Sequence, residues 1–179
     1  MNIQVDINHI ISEGTSTEQA LAYFDELAPV TVDEMLGRWR GSGFPTDHPM
    51  DGLLENFNWW GKEFVSSEHV HPLVFSQGED KQVTLDPLWM PLKYARNSRF
   101  ARAAATRKAF ALLAPLMKTQ QSRARLRMLE YRGKVSATMV YDHKPINDVF
   151  RKLDEDTVIG VMDLKSMRRP FFFVLQRHS

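Results

Sequence analysis

Cysteine is missing from this chain of 179 residues, which excludes disulfides, thiolate nucleophiles and zinc sites of the cysteine type. Its absence fits a reducing compartment. The opening "MNIQVDINHIISEG" has neither the basic start nor the apolar run of a secretion signal. No stretch approaches the roughly 20 apolar residues of a membrane-spanning helix. An apolar run such as "FFFVL" at 171–175 suits a buried strand. These absences lead us to expect a soluble, cytoplasmic protein. G-x-S-x-G, H-E-x-x-H and G-x-x-x-x-G-K-[ST] patterns are also lacking, and Gly41-Ser42-Gly43 runs into Pro45 rather than into the helix of a nucleotide loop.

Acidic residues are absent between Asp86 and Glu130. That interval holds ten of the 23 basic residues: Lys93, Arg96, Arg99, Arg102, Arg107, Lys108, Lys118, Arg123, Arg125 and Arg127. The remaining 13 face all 22 acidic ones. Two readings follow: a face that meets an anionic membrane or phosphate groups, or a solvated basic helix against an acidic body. Aromatic residues are not interleaved with the basic ones as in single-strand binders, so nucleic acid is not an expected partner.

What is present reads as one domain, mainly β with accessory helices. Residues 1–30 form an N-terminal helical extension; Thr15 or Ser16 with Glu18 or Gln19 makes a capping box, and Pro29 ends the helix. Residues 31–92 form a first β segment, opened by the capping pair Thr31 and Glu34. Residues 93–121 are a basic helical insertion, Ala-rich over 98–117 with Pro115 as its breaker. Residues 122–179 are a C-terminal β meander with a hairpin turning at Gly133. On strand 134–141, Val135, Ala137, Met139 and Tyr141 alternate with Lys134, Ser136 and Thr138, the pattern of one buried and one wet face. Short strands in series suggest a barrel or sandwich.

The chemistry-bearing residues do not form a recognisable catalytic set. His69 and His71 share a strand face but lack a third metal ligand, and the pairs Asp47-His48 and Asp142-His143 fall in turns. The cluster "YDHKPIND" brings Tyr141, Asp142, His143 and Asp148 near one turn. Four tryptophans, Trp39, Trp59, Trp60 and Trp89, and nine methionines offer the materials of a core or of an apolar pocket.

The stretch "GRWRG" at 37–41, followed by "GFPTDHPMDGLL" and "WWGKEF", resembles the bacterial family named for its Gly-x-Trp-x-Gly motif. Residues 122–177 resemble the domain that usually follows it in one chain. The family in turn looks like a remote relative of the calycins, which include lipocalins, fatty-acid-binding proteins and nitrobindins. That resemblance implies a single antiparallel β-barrel closed at one end by Gly37, Trp39 and Gly41, with Arg177 stacked on the Trp39 indole. Matching "PFFFVLQR" to the last strand of nitrobindins puts Pro170 where their haem-ligating histidine stands, and proline cannot ligate iron. No cofactor is expected.

The function expected is non-catalytic: a carrier of a lipid or other elongated hydrophobic molecule, with residues 93–127 as the expected contact for exchange with anionic membranes. Ligand-lining candidates are Trp60, Phe64, Met128, Tyr131, Met139, Tyr141, Phe171 and Phe173. Met128 and Tyr131 both stand because "RLRMLEY" has apolar residues on each face. The alternatives are an enzyme on a small hydrophobic substrate, with Tyr141, Asp142, His143 or Asp148 near the cavity, and a haem-binding nitrobindin-like protein.

Overall fold

The computed structural model describes residues 7–78, 81–90 and 104–178. Helices α1 (Ile7–Glu13) and α2 (Thr17–Glu26) lead into a two-residue strand β1 (Ala28–Pro29) and a single-turn helix α3 (Val32–Met35). Strand β2 (Gly37–Gly43), short helix α4 (Leu53–Asn56) and strands β3 (Trp59–Phe64), β4 (Val70–Ser76) and β5 (Gln82–Thr84) follow. Helix α5 (Ala104–Leu113) continues as a 3₁₀ turn, Ala114–Met117, because Pro115 cannot donate to the α-helical ladder. Residues 98–103 of the expected basic helix, and Lys93, Arg96, Arg99 and Arg102, lie outside the described residues. The chain ends in β6 (Ala124–Tyr131), β7 (Lys134–Tyr141), β8 (Ile146–Lys152), β9 (Thr157–Leu164) and β10 (Phe171–His178).

Both capping boxes form. Ser16 and Gln19 exchange hydrogen bonds at the start of α2, and Thr31 and Glu34 do so at α3. Residues 28–29 pair with β8 rather than ending a purely helical extension.

The sheet is antiparallel throughout, in the order β8-β7-β6-β4-β3-β2-β10-β9, and β9 pairs back onto β8. Eight strands therefore close into a ring. The seam between β4 and β6 is thin, with one paired position, Val70 with Ala124. The Ser122 hydroxyl reinforces it by accepting from the Val70 N–H.

Two apolar clusters explain the continuous run at 171–175. Phe171, Phe173 and Leu175 point into the ring, with Trp39, Phe64, Met139 and Phe150. Phe172 and Val174 point outward under α2, against Ala20, Phe24 and Leu27. With both faces of β10 covered, alternation has no selective advantage and the strand reads as unbroken apolar.

The wet face expected on β7 is dry. Ser136 and Thr138 are fully buried, because β7 and β8 splay at that end and residues 28–30 wedge between them. Ser136 Oγ accepts from the Val30 N–H at 2.9 Å and donates to the Phe150 carbonyl at 2.6 Å, while Val30 O accepts from the Ala137 N–H. A hydroxyl thus replaces the ladder bonds that the splayed pair lacks.

Candidate functional site

One end of the ring is filled. The Trp39 indole N–H donates to the Met35 carbonyl of α3 at 2.8 Å, and the Arg177 guanidinium carbon sits 4.3 Å from the indole centroid. Arg177 also donates to the carbonyls of Leu36 and Glu34, where α3 ends. Gly37 opens β2 with that guanidinium 3.5 Å from where a Cβ would lie. Gly41 makes its close approach to Trp59: a Cβ there would overlap that indole.

The other end encloses a cavity of about 440 Å³. Apart from Lys62, Thr106, Tyr141, Lys144 and Asp148, its wall is apolar. Strands supply Trp59, Phe75, Met162, Phe171 and Phe173; the loop and helix of residues 50–57 supply Met50 and Phe57; and α5 lays Phe110 across it. The Phe110 ring lies 4.6 Å from Phe57 and 5.5 Å from Phe75. Trp89 and Leu113 both line the cavity and are more than half exposed, which marks its opening to the surface.

At the floor is a buried ion pair. Lys62 Nζ lies 2.8 Å from Asp148 Oδ2, with the two side chains 3% and 1% exposed. Lys62 is on β3 and Asp148 on β8, four strands apart in either direction round the ring, so the bond is a strut across its diameter. Lys62 also donates to the Pro72 carbonyl at 3.2 Å. Its ammonium lies 5.0 Å from the Phe173 centroid, 5.5 Å from Trp59 and 5.8 Å from Tyr141. Burial pushes the Asp148 carboxyl above the usual carboxylate range, while Lys62 pulls it back. Burial, with Asp148 next in effect, raises the Tyr141 phenol well above 10, so it stays protonated.

The local reason for this placement is a bulge in β3. Gly61 has φ +150°, and a Cβ there would strike the Trp39 carbonyl. Register against β4 shifts on both sides of it. Trp59 and Lys62, three residues apart, therefore both face inward, and Trp60 is turned to the outer side of the wall. There Arg38 covers the Trp60 ring at 4.7 Å and His178 meets it edge-on at 5.2 Å.

Of the residues expected to line a cavity, Tyr141, Phe171 and Phe173 do so. Phe64 and Met139 are fully buried in the filled end, where the Phe64 ring meets Phe150 at 5.7 Å. Met128 is 43% exposed, because β6 and β7 run on as a hairpin beyond the single position where β6 pairs with β4. Tyr131 sits outside the ring against Phe24 of α2, centroids 6.5 Å apart. Trp59 and Lys62 were missed: strict alternation from Phe64 selects residue 60, and only the glycine at 61 hinted at a change of phase. Asp148 was attached to the turn cluster, but it separates from Asp142, which pairs with Arg125 at 2.9 Å, and from exposed His143.

The histidines sort differently. His48 is buried, accepting from the Met50 N–H through Nδ1, with Nε2 3.3 Å from the Arg169 carbonyl; burial lowers its pKa, so it is a neutral structural group beside Phe171. His69 and His71 meet edge-on, with ring centroids 5.0 Å apart. Among the described residues no group of three or more His, Cys, Asp or Glu could hold a metal, and no helix is long and apolar enough to cross a membrane. Pro170 directly precedes β10.

Fold and site together define an antiparallel β protein whose strand ring encloses an apolar pocket of small-molecule size. Residues 22–79 match the model of the GXWXG protein family, and residues 122–177 match a domain of unknown function, DUF4334. A crystal structure of a protein from Thermomonospora curvata is similar over 100% of both chains, with 31% identity and a TM-score of 0.72. The chain belongs to the GXWXG family. No curated protein matches it.

Proposed function

We propose that this chain is a carrier for a lipid or other elongated hydrophobic small molecule, held in a calycin-like barrel cavity. The observation that carries the reading is the apolar pocket of about 440 Å³, within the roughly 300–1,000 Å³ of ligand sites. A filled, Trp39-sealed end beneath it makes the pocket blind, as a container requires. The test is mass spectrometry of organic extracts of the purified protein, together with titration of the neutral apolar dye phenylnaphthylamine. A co-purified hydrophobic compound that displaces the dye is expected. Absence of both extractable ligand and dye binding refutes the carrier.

The opening suits exchange with an anionic membrane. Trp89, Leu112 and Leu116 are 66%, 78% and 80% exposed, close in sequence to exposed Arg107, Lys108 and Lys118. Each basic residue near an anionic surface contributes about 1 kcal/mol. Binding to vesicles containing anionic lipid, and loss of it in Leu112→Ser/Leu116→Ser, is the expected result; no preference over zwitterionic vesicles refutes this part.

A second reading, an enzyme on a small hydrophobic substrate, draws on Asp148, a carboxyl with raised pKa in the cavity beside Tyr141. Chemical conversion of the extracted ligand by the protein, abolished in Asp148→Asn, would replace the carrier with this reading.

A further inference from the structure

Among the described residues, two that line the cavity each carry a buried polar atom without a hydrogen-bond partner. Asp148 uses Oδ2 for Lys62 and leaves Oδ1 unbonded, and Trp59 leaves its indole N–H unbonded. Both residues line the pocket, and they are 1% and 7% exposed. Buried polar atoms without partners are rare and costly, and in a ligand site they specify what the ligand must bring. These two make opposite demands: Asp148 Oδ1 needs a donor, and the indole needs an acceptor. They belong to one neighbourhood, since the Lys62 ammonium is 2.8 Å from Asp148 and 5.5 Å from the Trp59 ring.

From this pairing we infer that the pocket takes the uncharged hydroxyl end of an apolar alcohol, which donates to Asp148 Oδ1 and accepts from the Trp59 indole. This rests on the carrier reading and specifies its ligand. A carboxylate meets the indole but faces the Asp148 oxygen with like charge, and Lys62, the nearest cation, is already matched by Asp148. An aldehyde or ester only accepts. An ammonium only donates, and adds a positive charge beside Lys62. A hydroxyl alone of these satisfies both atoms without changing the charge of the floor.

The test holds the chain constant and varies the head: decanol, decanal, decanoate and decylamine compete for the dye, with the Trp59 indole N–H followed by NMR. Decanol is expected to bind at least tenfold more tightly than the others, and to shift the Trp59 resonance. In Lys62→Met/Asp148→Leu, which removes the acceptor together with its counter-charge, the advantage of decanol over decanal should vanish while decanal binding persists. Equal affinities across the wild-type series, or decanoate as the tightest ligand, overturn the hydroxyl inference and leave the carrier standing. Failure of every member to bind overturns both. The wild-type comparison needs no variant, so misfolding of the double variant does not remove the test.

Discussion

Replacing Lys62 by methionine leaves Asp148 buried without its partner and tests whether the strut across the ring holds it together. The pair is almost entirely out of water, 3% and 1% exposed, so its members cannot be rehydrated in place when one is removed. Breaking such a pair costs about 3–5 kcal/mol, whereas replacing both partners by apolar groups is often neutral or stabilising by about 1–4 kcal/mol. Methionine keeps the contacts with the rings of Trp59, Tyr141 and Phe173, so the loss reports chiefly the stranded carboxylate. With a urea slope of about 2 kcal/mol per M, Lys62→Met should lower the unfolding midpoint by about 1.5–2.5 M at pH 7. Lys62→Met/Asp148→Leu should recover it. A carboxyl whose folded pKa lies above its unfolded value of 3.8 holds its proton more tightly in the native state. Stability from that proton is full below 3.8 and is lost as pH rises through the folded value. The deficit of Lys62→Met should therefore shrink as the pH falls towards 4. A single variant as stable as wild type, or a double variant no better than the single, refutes the strut.

Gly41→Ala places a Cβ in the Trp59 ring, so overpacking of about 1–3 kcal/mol is expected, with a changed near-ultraviolet circular dichroism spectrum and weakened dye binding. Ser136→Ala leaves the buried Val30 N–H without its acceptor and should cost about 1–3 kcal/mol by urea unfolding, without altering dye affinity. Thr31 and Lys152 hold the Glu34 carboxyl down at about 2, from 4.5. Its contribution is therefore present above 4.5 and lost as pH falls through about 2, so wild type and Glu34→Gln should differ in stability at pH 6 and converge near pH 2.

Much of the local structure was legible in the chain. The capping boxes at Ser16 and Thr31, the break at Pro115 and the hairpin around Gly133 depend on residues within a few positions of one another, and each forms where the sequence places it. Inward-facing positions were legible only where a strand kept its phase. Tyr141, Phe171 and Phe173 obey period two and reach the cavity. The same rule fails at Trp60, because the bulge at Gly61 shifts β3 by one position. It fails at Met128, because β6 outruns its partner.

The sequence by itself determined the order of strands and caps, the family, and the charge-free stretches that pack inside, since these follow from propensity and motif. Tertiary structure alone decided that Lys62 and Asp148, 86 positions apart, would meet across the ring, and that Trp59 rather than Trp60 would face the pocket. Ring closure places β3 opposite β8 through pairings that run all round the sheet, so no local pattern encodes the encounter. The same closure removes both side chains from water, which turns an ordinary lysine and aspartate into the polar floor of an apolar chamber.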